Sequence, residues 1–160
     1  MKDLKMDIPL SELYQEVILD HNRNPRNFRK LEKPNRYSHG YNPLCGDDYE
    51  VFLSVGGERL INDASFLGSG CAISKASSSM MTSMVKGKKV DEAQGLARSF
   101  IDLITKDHGA EDSRPEFKRL KVFEGVRKFP IRVKCATLVW HALEDALKQD
   151  ARARARGEGS

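Results

Sequence analysis

Residues 49–66 open with the run Tyr49-Glu50-Val51-Phe52-Leu53-Ser54-Val55-Gly56-Gly57 and return from Arg59 to Phe66. The first arm alternates apolar and polar residues well enough to predict a β-strand. The glycine pair predicts a tight turn, after which the second arm returns as a neighbouring antiparallel strand. A further strand over residues 36–42 is only weakly signalled. This stretch therefore predicts the core of a small antiparallel sheet.

Helical periodicity lies on both sides of these strands. It predicts a first helix ending near His21, a second from about Cys71 to Lys86, a third over 91–104, a short fourth over 117–127, and a last from Pro130 to about Gln149. We therefore expect an α+β protein with a single domain over residues 1–150, in which a small antiparallel β-sheet of about three strands packs against several helices. The Arg/Ala/Gly-rich residues 151–160 are expected to form a disordered tail.

The bulk composition is that of one soluble domain. The chain has 160 residues, 39% of them hydrophobic and 31% charged, which is long enough to bury a core without disulfides. It contains no apolar run of the roughly 18 to 20 residues that a membrane helix needs, and its N-terminus does not resemble a signal peptide. A cytoplasmic protein without a membrane partner is therefore expected, in a compartment that keeps thiols reduced.

The net charge of +4 raises the question of nucleic-acid binding. Much of the excess positive charge lies in residues 23–36 and in the tail, and few aromatic residues stand between these charges to stack on bases. A solvated basic surface is the simpler interpretation, and an acidic protein is at least as good a partner for it. No nucleic-acid partner is expected.

Three cysteines carry the sequence features with chemical meaning: Cys45, Cys71 and Cys135. Each stands beside a predicted turn or helix start. An odd number of thiols cannot pair completely within the chain, and no Cys-x-x-Cys pair supports a zinc-finger or thioredoxin interpretation. Three thiolates with one nearby carboxylate form a tetrahedral ligand set for a borderline-soft ion such as zinc.

The three sites differ in how strongly they point to function. In Cys45-Gly46-Asp47 the glycine permits a sharp turn that can aim a thiolate and a carboxylate at one point, although an incidental cysteine in a turn remains an alternative. Cys71 follows a glycine turn at a helix start, where backbone N–H groups lower a thiol pKa; a small buried cysteine is the alternative. Cys135 lies three residues after Arg132, whose charge could balance an anionic metal centre; a core-facing cysteine is the alternative.

Together these motifs resemble the IscU/NifU-like family of iron–sulfur cluster assembly proteins, over nearly all of residues 10–148. The matching stretches are Leu13-Tyr14, Asp20-His21, Asn24-Pro25-Arg26-Asn27, Asn42-Pro43-Leu44-Cys45-Gly46-Asp47, Gly68-Ser69-Gly70-Cys71-Ala72-Ile73-Ser74 and Arg132-Val133-Lys134-Cys135-Ala136-Thr137-Leu138. Within the family, Lys134 in place of a histidine and the extra residues around 106–125 resemble the SufU branch.

The resemblance implies a SufE/NifU-like fold and Zn²⁺ held by Cys45, Asp47, Cys71 and Cys135. It also implies a SufS-type cysteine desulfurase as partner, with downstream iron–sulfur assembly proteins receiving the sulfur. Cys45 would accept persulfide sulfur, and Arg132 is a candidate charge stabiliser from its spacing alone. On this interpretation the chain is a sulfur acceptor and desulfurase activator rather than a stand-alone enzyme. Two alternatives remain: a scaffold on which a [2Fe–2S] cluster is assembled, and a structural zinc domain.

Overall fold

A three-stranded antiparallel sheet in the order β1-β2-β3 lies at the centre of the protein. The computed structural model describes residues 12–106 and 114–155, with side chains described from Gln15 to Lys106 and from Arg114 to Gln149. The strands are β1 (Arg36–Asn42), β2 (Asp47–Val55) and β3 (Ile61–Ser69). The weakly signalled first strand is therefore present, and the predicted α+β fold is confirmed.

The connection between β2 and β3 is longer than the predicted tight turn. A short 3-10 helix, Gly57–Arg59, lies between the strands, and Glu58 has a positive φ of 59° within it. The pairing register also shifts between Ser54 and Val55. The sequence therefore predicts correctly where the chain turns back but not the length of the connection. A tight turn would place the glycine pair at the positions with positive φ, whereas Gly56 and Gly57 precede the residues that have it.

Within the residues that the structure describes, five α-helices accompany the sheet: α1 (Glu12–Arg23), α2 (Ala72–Val85), α3 (Val90–Thr105), α4 (Pro115–Leu120) and α5 (Pro130–Ala155). The short predicted helix over 117–127 is in fact two elements, α4 and a 3-10 helix at Lys121–Lys128. Helix α5 continues past its predicted end near Gln149, and its backbone is helical to Ala155, within the stretch for which the sequence predicts a disordered tail. Residues 156–160, and 107–113 of the polar insertion, lie outside the described residues.

Helix α5 packs on β1 and β2 and contacts α2 and α3, which brings Cys135 over the sheet. Trp140 on α5 is fully buried, and its indole N–H donates to Ser77 Oγ at 3.0 Å. That hydroxyl in turn donates to the carbonyl of Ala136 at 2.7 Å. Because both polar groups are satisfied inside the core, α2 and α5 are held in a fixed relation. None of the helices in the part of the chain described here is long and apolar enough to cross a bilayer.

His21, at the end of α1, makes the stability of the fold depend on pH. Burial above all, with Arg26 and Arg119 adding to it and Asp20 opposing, lowers the pKa of His21 to about 4, whereas an unfolded histidine has a pKa of about 6.5. The unfolded chain therefore binds more protons between these values, so stability should fall as the pH drops from about 6.5 to about 4. The free energy of unfolding of His21→Gln, measured with urea, should depend less on pH between about 6.5 and about 4. An unchanged dependence would show that other groups cause it.

Candidate metal centre

A four-residue turn between β1 and β2 places Cys45 and Asp47. Asn42 pairs with Asp47 across the two strands, and its side-chain oxygen accepts the Leu44 N–H at 3.0 Å while its carbonyl accepts the Gly46 N–H at 2.8 Å. Gly46 has a φ of 73°, a left-handed conformation that glycine adopts without steric cost. The turn chemistry read from the sequence therefore does bring the thiol and the carboxylate together, with Cys45 Sγ 3.4 Å from Asp47 Oδ2.

The Asp47 carboxylate is completely buried, and its two oxygens have different partners. Oδ1 accepts the backbone N–H of Cys71 and the hydroxyl of Ser74, each at 3.1 Å. Oδ2 faces Cys45. A buried carboxylate is tolerated where hydrogen bonds and neighbouring charge compensate for lost hydration. The N–H and O–H donors lie on Oδ1 of Asp47, and the Cys45 thiol donates to Oδ2.

Cys71 occupies the N-cap position of α2, and its sulfur accepts the Ser74 N–H at 3.4 Å. Its own thiol also interacts with the thiol of Cys135, and this hydrogen bond, followed by that of the Ser74 N–H, lowers the pKa of Cys71 to about 6. The Cys135 thiol and, to a smaller extent, the Ser74 N–H at the predicted helix start together favour a thiolate at Cys71.

Cys135 lies in the second turn of α5, fully buried, with its sulfur 3.3 Å from Cys45 Sγ. Donation of its proton to Cys71, together with burial, raises the pKa of Cys135, and burial raises that of Cys45. All three cysteines are free thiols. The hydrogen bond between Cys71 and Cys135 thus lowers the pKa of Cys71 and raises that of Cys135, which favours negative charge on Cys71 over Cys135.

Three of the four predicted ligands form a compact group. One ligand atom each from Cys45, Asp47 and Cys135 lies within 4.8 Å of the other two. Cys71 stands beside this group, since its thiol contacts Cys135 and its N–H contacts Asp47. The structure thus places all four residues at one end of the sheet, and the inclusion of Cys71 in the ligand set stays a prediction.

The donor atoms suit a zinc ion. Zinc–sulfur bonds of about 2.3 Å and zinc–oxygen bonds of about 2.0 Å imply tetrahedral edges of about 3.8 Å between two sulfurs and about 3.5 Å between sulfur and oxygen. The observed separations are 3.3 Å between the sulfurs of Cys45 and Cys135 and 3.4 Å between Cys45 Sγ and Asp47 Oδ2. A small outward movement of one thiol therefore satisfies both edges.

Gly70 forms part of the wall of this site. A Cβ atom at this position would overlap Asp47 Oδ1 and approach Ser74 Oγ to 2.5 Å. Both of these atoms belong to the hydrogen-bonded set around the carboxylate. The glycine that precedes Cys71 is therefore needed for close approach of α2 to β2, in addition to any part it plays in the turn.

The other residues near the predicted site are not among the compact group of possible ligands. Arg132 is half-buried in the first turn of α5, and its part in the site remains a prediction. Lys134 is exposed. His39 pairs with Asp48 at 2.5 Å; both side chains are exposed, and Asp48 points to the face opposite Asp47.

Two residues that contact the site were not identified from the sequence: Ser74 and Tyr49. Ser74 Oγ lies 3.1 Å from Asp47 Oδ1 and 3.2 Å from Tyr49 Oη. Two signals could have found them. Tyr49 is two residues after Asp47 on the same face of a strand, and Ser74 is three residues after the N-cap, where a side chain lies close to the helix start.

The fold and the site together define a class of protein: a small α+β protein with a cysteine- and aspartate-containing centre at one end of its sheet. Residues 13–155 match the family described as the NifU-like N-terminal domain. The chain therefore belongs to the IscU/NifU-like family of iron–sulfur cluster assembly proteins, and the resemblance read from its cysteine motifs is confirmed.

Relatives from several organisms support this assignment. The zinc-dependent sulfurtransferase SufU of Bacillus subtilis is 39% identical over 142 residues, which is 88% of this chain and 93% of that protein. The iron–sulfur cluster assembly scaffold protein IscU of Streptococcus pyogenes is 38% identical over 146 residues, 91% of this chain and 89% of that protein. The structure of a nitrogen-fixing NifU-like protein from Brucella abortus superposes with a TM-score of 0.78 at 26% identity, covering 87% of this chain and 94% of that one.

Proposed function

We propose that this protein is a zinc-dependent sulfur-transfer protein that accepts persulfide sulfur from a SufS-type cysteine desulfurase during iron–sulfur cluster assembly. Cys45, Asp47, Cys71 and Cys135 are the residues that would hold the zinc. Bound zinc stabilises the thiolate form of its cysteine ligands. The SufU relative from Bacillus subtilis, which is named a zinc-dependent sulfurtransferase, supports this choice within the family.

The position of Cys45 is the observation that carries the proposal. Cys135 is completely buried, whereas Cys45 is partly exposed in a turn whose neighbours Leu44 and Gly46 are exposed. A thiol that exchanges sulfur with another protein must be reached by that protein's own sulfur. Cys45 satisfies this requirement while its sulfur stays in contact with Cys135 and Asp47.

The transfer step uses only thiols and a persulfide. The Cys45 thiolate attacks the terminal sulfur of a persulfide carried by the desulfurase cysteine. A new sulfur–sulfur bond forms on Cys45 as the original one breaks, and the electron pair leaves with the desulfurase cysteine as a thiolate. The sulfane sulfur moves without any net oxidation or reduction. The desulfurase is thereby returned to the state in which it can react with another L-cysteine.

Exposed apolar side chains flank the two cysteines in contact and fit a protein partner. Leu44 is 73% exposed beside Cys45, and Ile131 is 58% exposed on α5. Ile131 lies four residues before Cys135, so the two share one face of the helix. Large apolar side chains in such a position are characteristic of surfaces that another protein covers.

A scaffold for a [2Fe–2S] cluster is the second candidate function. Thiolates are the usual ligands of such clusters, and the Streptococcus pyogenes relative is named a cluster assembly scaffold. Lys134 favours sulfur transfer instead, because scaffold-type members carry a histidine at that position. A structural zinc domain is a weaker third candidate, since a purely structural site has no need to expose the turn that carries Cys45.

Metal analysis combined with a desulfurase-activation assay tests the proposal. The purified protein should be colourless, should contain one tightly held zinc, and should stimulate the cognate desulfurase. Chelator should remove the stimulation, and zinc added back should restore it. A brown protein whose visible absorption follows cluster loading would favour the scaffold, and full stimulation after complete removal of metal would overturn zinc dependence.

A further inference from the structure

Behind the candidate metal centre lies a buried chain of three polar side chains, Tyr49, Ser74 and Asp47. Tyr49 and Asp47 are 0% exposed and Ser74 is 1% exposed. Ser74 Oγ is 3.2 Å from Tyr49 Oη, 3.1 Å from Asp47 Oδ1 and 3.1 Å from the carbonyl of Cys71. Zinc in proteins is bound by cysteine, histidine, aspartate and glutamate side chains, so the hydroxyl groups of Tyr49 and Ser74 need another explanation.

The direction of these hydrogen bonds follows from the number of protons available. A serine hydroxyl has one proton, and a carboxylate or carbonyl oxygen can only accept. Ser74 therefore donates to one oxygen, and the ionised carboxylate of Asp47 is the stronger acceptor. For its contact with Ser74 to be a hydrogen bond as well, Tyr49 must donate to Ser74. The protons then run from Tyr49 through Ser74 to Asp47 Oδ1, an arrangement in which each bond strengthens the next.

We propose that Ser74 and Tyr49 are positioning residues that make Asp47 a ligand through a single oxygen. Together with the Cys71 N–H they hold Oδ1 and leave Oδ2, 3.4 Å from Cys45 Sγ, to face the cation. A carboxylate restrained in this way would offer one oxygen rather than two, which suits a four-coordinate metal. This inference rests on the proposed function only in its use of a metal held at this site.

The variants Ser74→Ala and Tyr49→Phe test the inference, with Ser78→Ala as the matched control. Ser78 is also a completely buried serine of α2, but its hydroxyl donates to the Ser74 carbonyl at 2.9 Å and not to the carboxylate. Tyr49→Phe removes one oxygen atom and preserves the ring. Zinc affinity is measured by competition with a chelator, and coordination number by the visible spectrum of the Co²⁺-loaded protein, both without the desulfurase.

Ser74→Ala should weaken zinc binding about 10- to 100-fold, the usual effect of losing a group that orients a ligand, and should reduce the intense absorption typical of four-coordinate cobalt. Tyr49→Phe should lower the zinc affinity and the cobalt absorption by a smaller factor. Ser78→Ala should have the same zinc affinity and cobalt spectrum as the parent. Parent-like affinity and spectrum in both Ser74→Ala and Tyr49→Phe would overturn the inference, as would a parent protein that binds neither metal. A parent that binds metal but does not stimulate the desulfurase would contradict the proposed function alone.

Discussion

The Cys45→Ala variant is expected to lose all stimulation of the cognate desulfurase, down to the rate measured with the desulfurase alone. The reason is that the Cys45 thiol is partly exposed, in a turn flanked by exposed residues. The proposed transfer forms its new sulfur–sulfur bond on this atom. The measurement is desulfurase turnover with saturating variant. Mass spectrometry of the parent after incubation with desulfurase and L-cysteine should find one added sulfur on the peptide that contains Cys45.

The fold of Cys45→Ala should be retained, because the residue lies in a turn and outside the buried core. Circular dichroism and thermal unfolding of the variant check this. Stimulation that simply follows the folded fraction would favour a structural zinc domain. A fully folded variant that still stimulates the desulfurase to the parent level would remove Cys45 from the transfer step.

The Asp47→Ala variant is expected to lose metal affinity by at least about 100-fold, because removal of a group that only orients a ligand already costs 10- to 100-fold. It also leaves the Cys71 N–H and the Ser74 hydroxyl without their carboxylate acceptor in a buried site. We therefore expect a loss of about 1–3 kcal/mol in the free energy of unfolding. Zinc content after chelator competition and urea unfolding measure the two effects.

Asp48→Ala is the matched control for Asp47→Ala. Asp48 is the next carboxylate along β2, but it is exposed and pairs with His39 on the opposite face of the sheet. Its removal should leave zinc content unchanged and alter stability by less than about 1 kcal/mol. Equal zinc content in the two variants would show that the Asp47 carboxylate does not bind the metal.

The sequence was most informative where backbone chemistry is local. The glycine of Cys45-Gly46-Asp47 predicts a turn because only a permissive residue adopts its left-handed φ readily, and Gly46 does so at 73°. The glycine turn before Cys71 likewise predicts a thiol at a helix start, and Cys71 is the N-cap of α2. For both cysteines, the few residues around the thiol determine how it is presented.

The sequence was less informative where the outcome depends on contacts between distant segments. The sequence predicts that Gly70 is part of a turn, but the structure also requires a glycine there because α2 lies close to Asp47 and Tyr49 on β2. The link from Tyr49 to Ser74 spans 25 residues of chain and depends on that same packing. Periodicity predicts which face of an element is buried but not which polar atoms meet across two elements, so the residues behind the carboxylate emerge only in three dimensions.

Helix ends also depended on more than local signals. Helix α5 extends to Ala155, whereas the change to an Arg/Ala-rich composition predicts an end near Gln149. Alanine and arginine are both strong helix formers, so this composition can continue a helix that packing against the sheet has already stabilised. The short helix after the insertion shows the opposite case, since α4 changes to a 3-10 helix after Leu120.

The central claim is that Cys45, Asp47, Cys71 and Cys135 bind one cation, and zinc K-edge X-ray absorption of the purified protein tests it most directly. The account predicts zinc with three sulfur neighbours at about 2.3 Å and one oxygen at about 2.0 Å. A first shell with fewer than three sulfurs, or with nitrogen and oxygen alone, would contradict it.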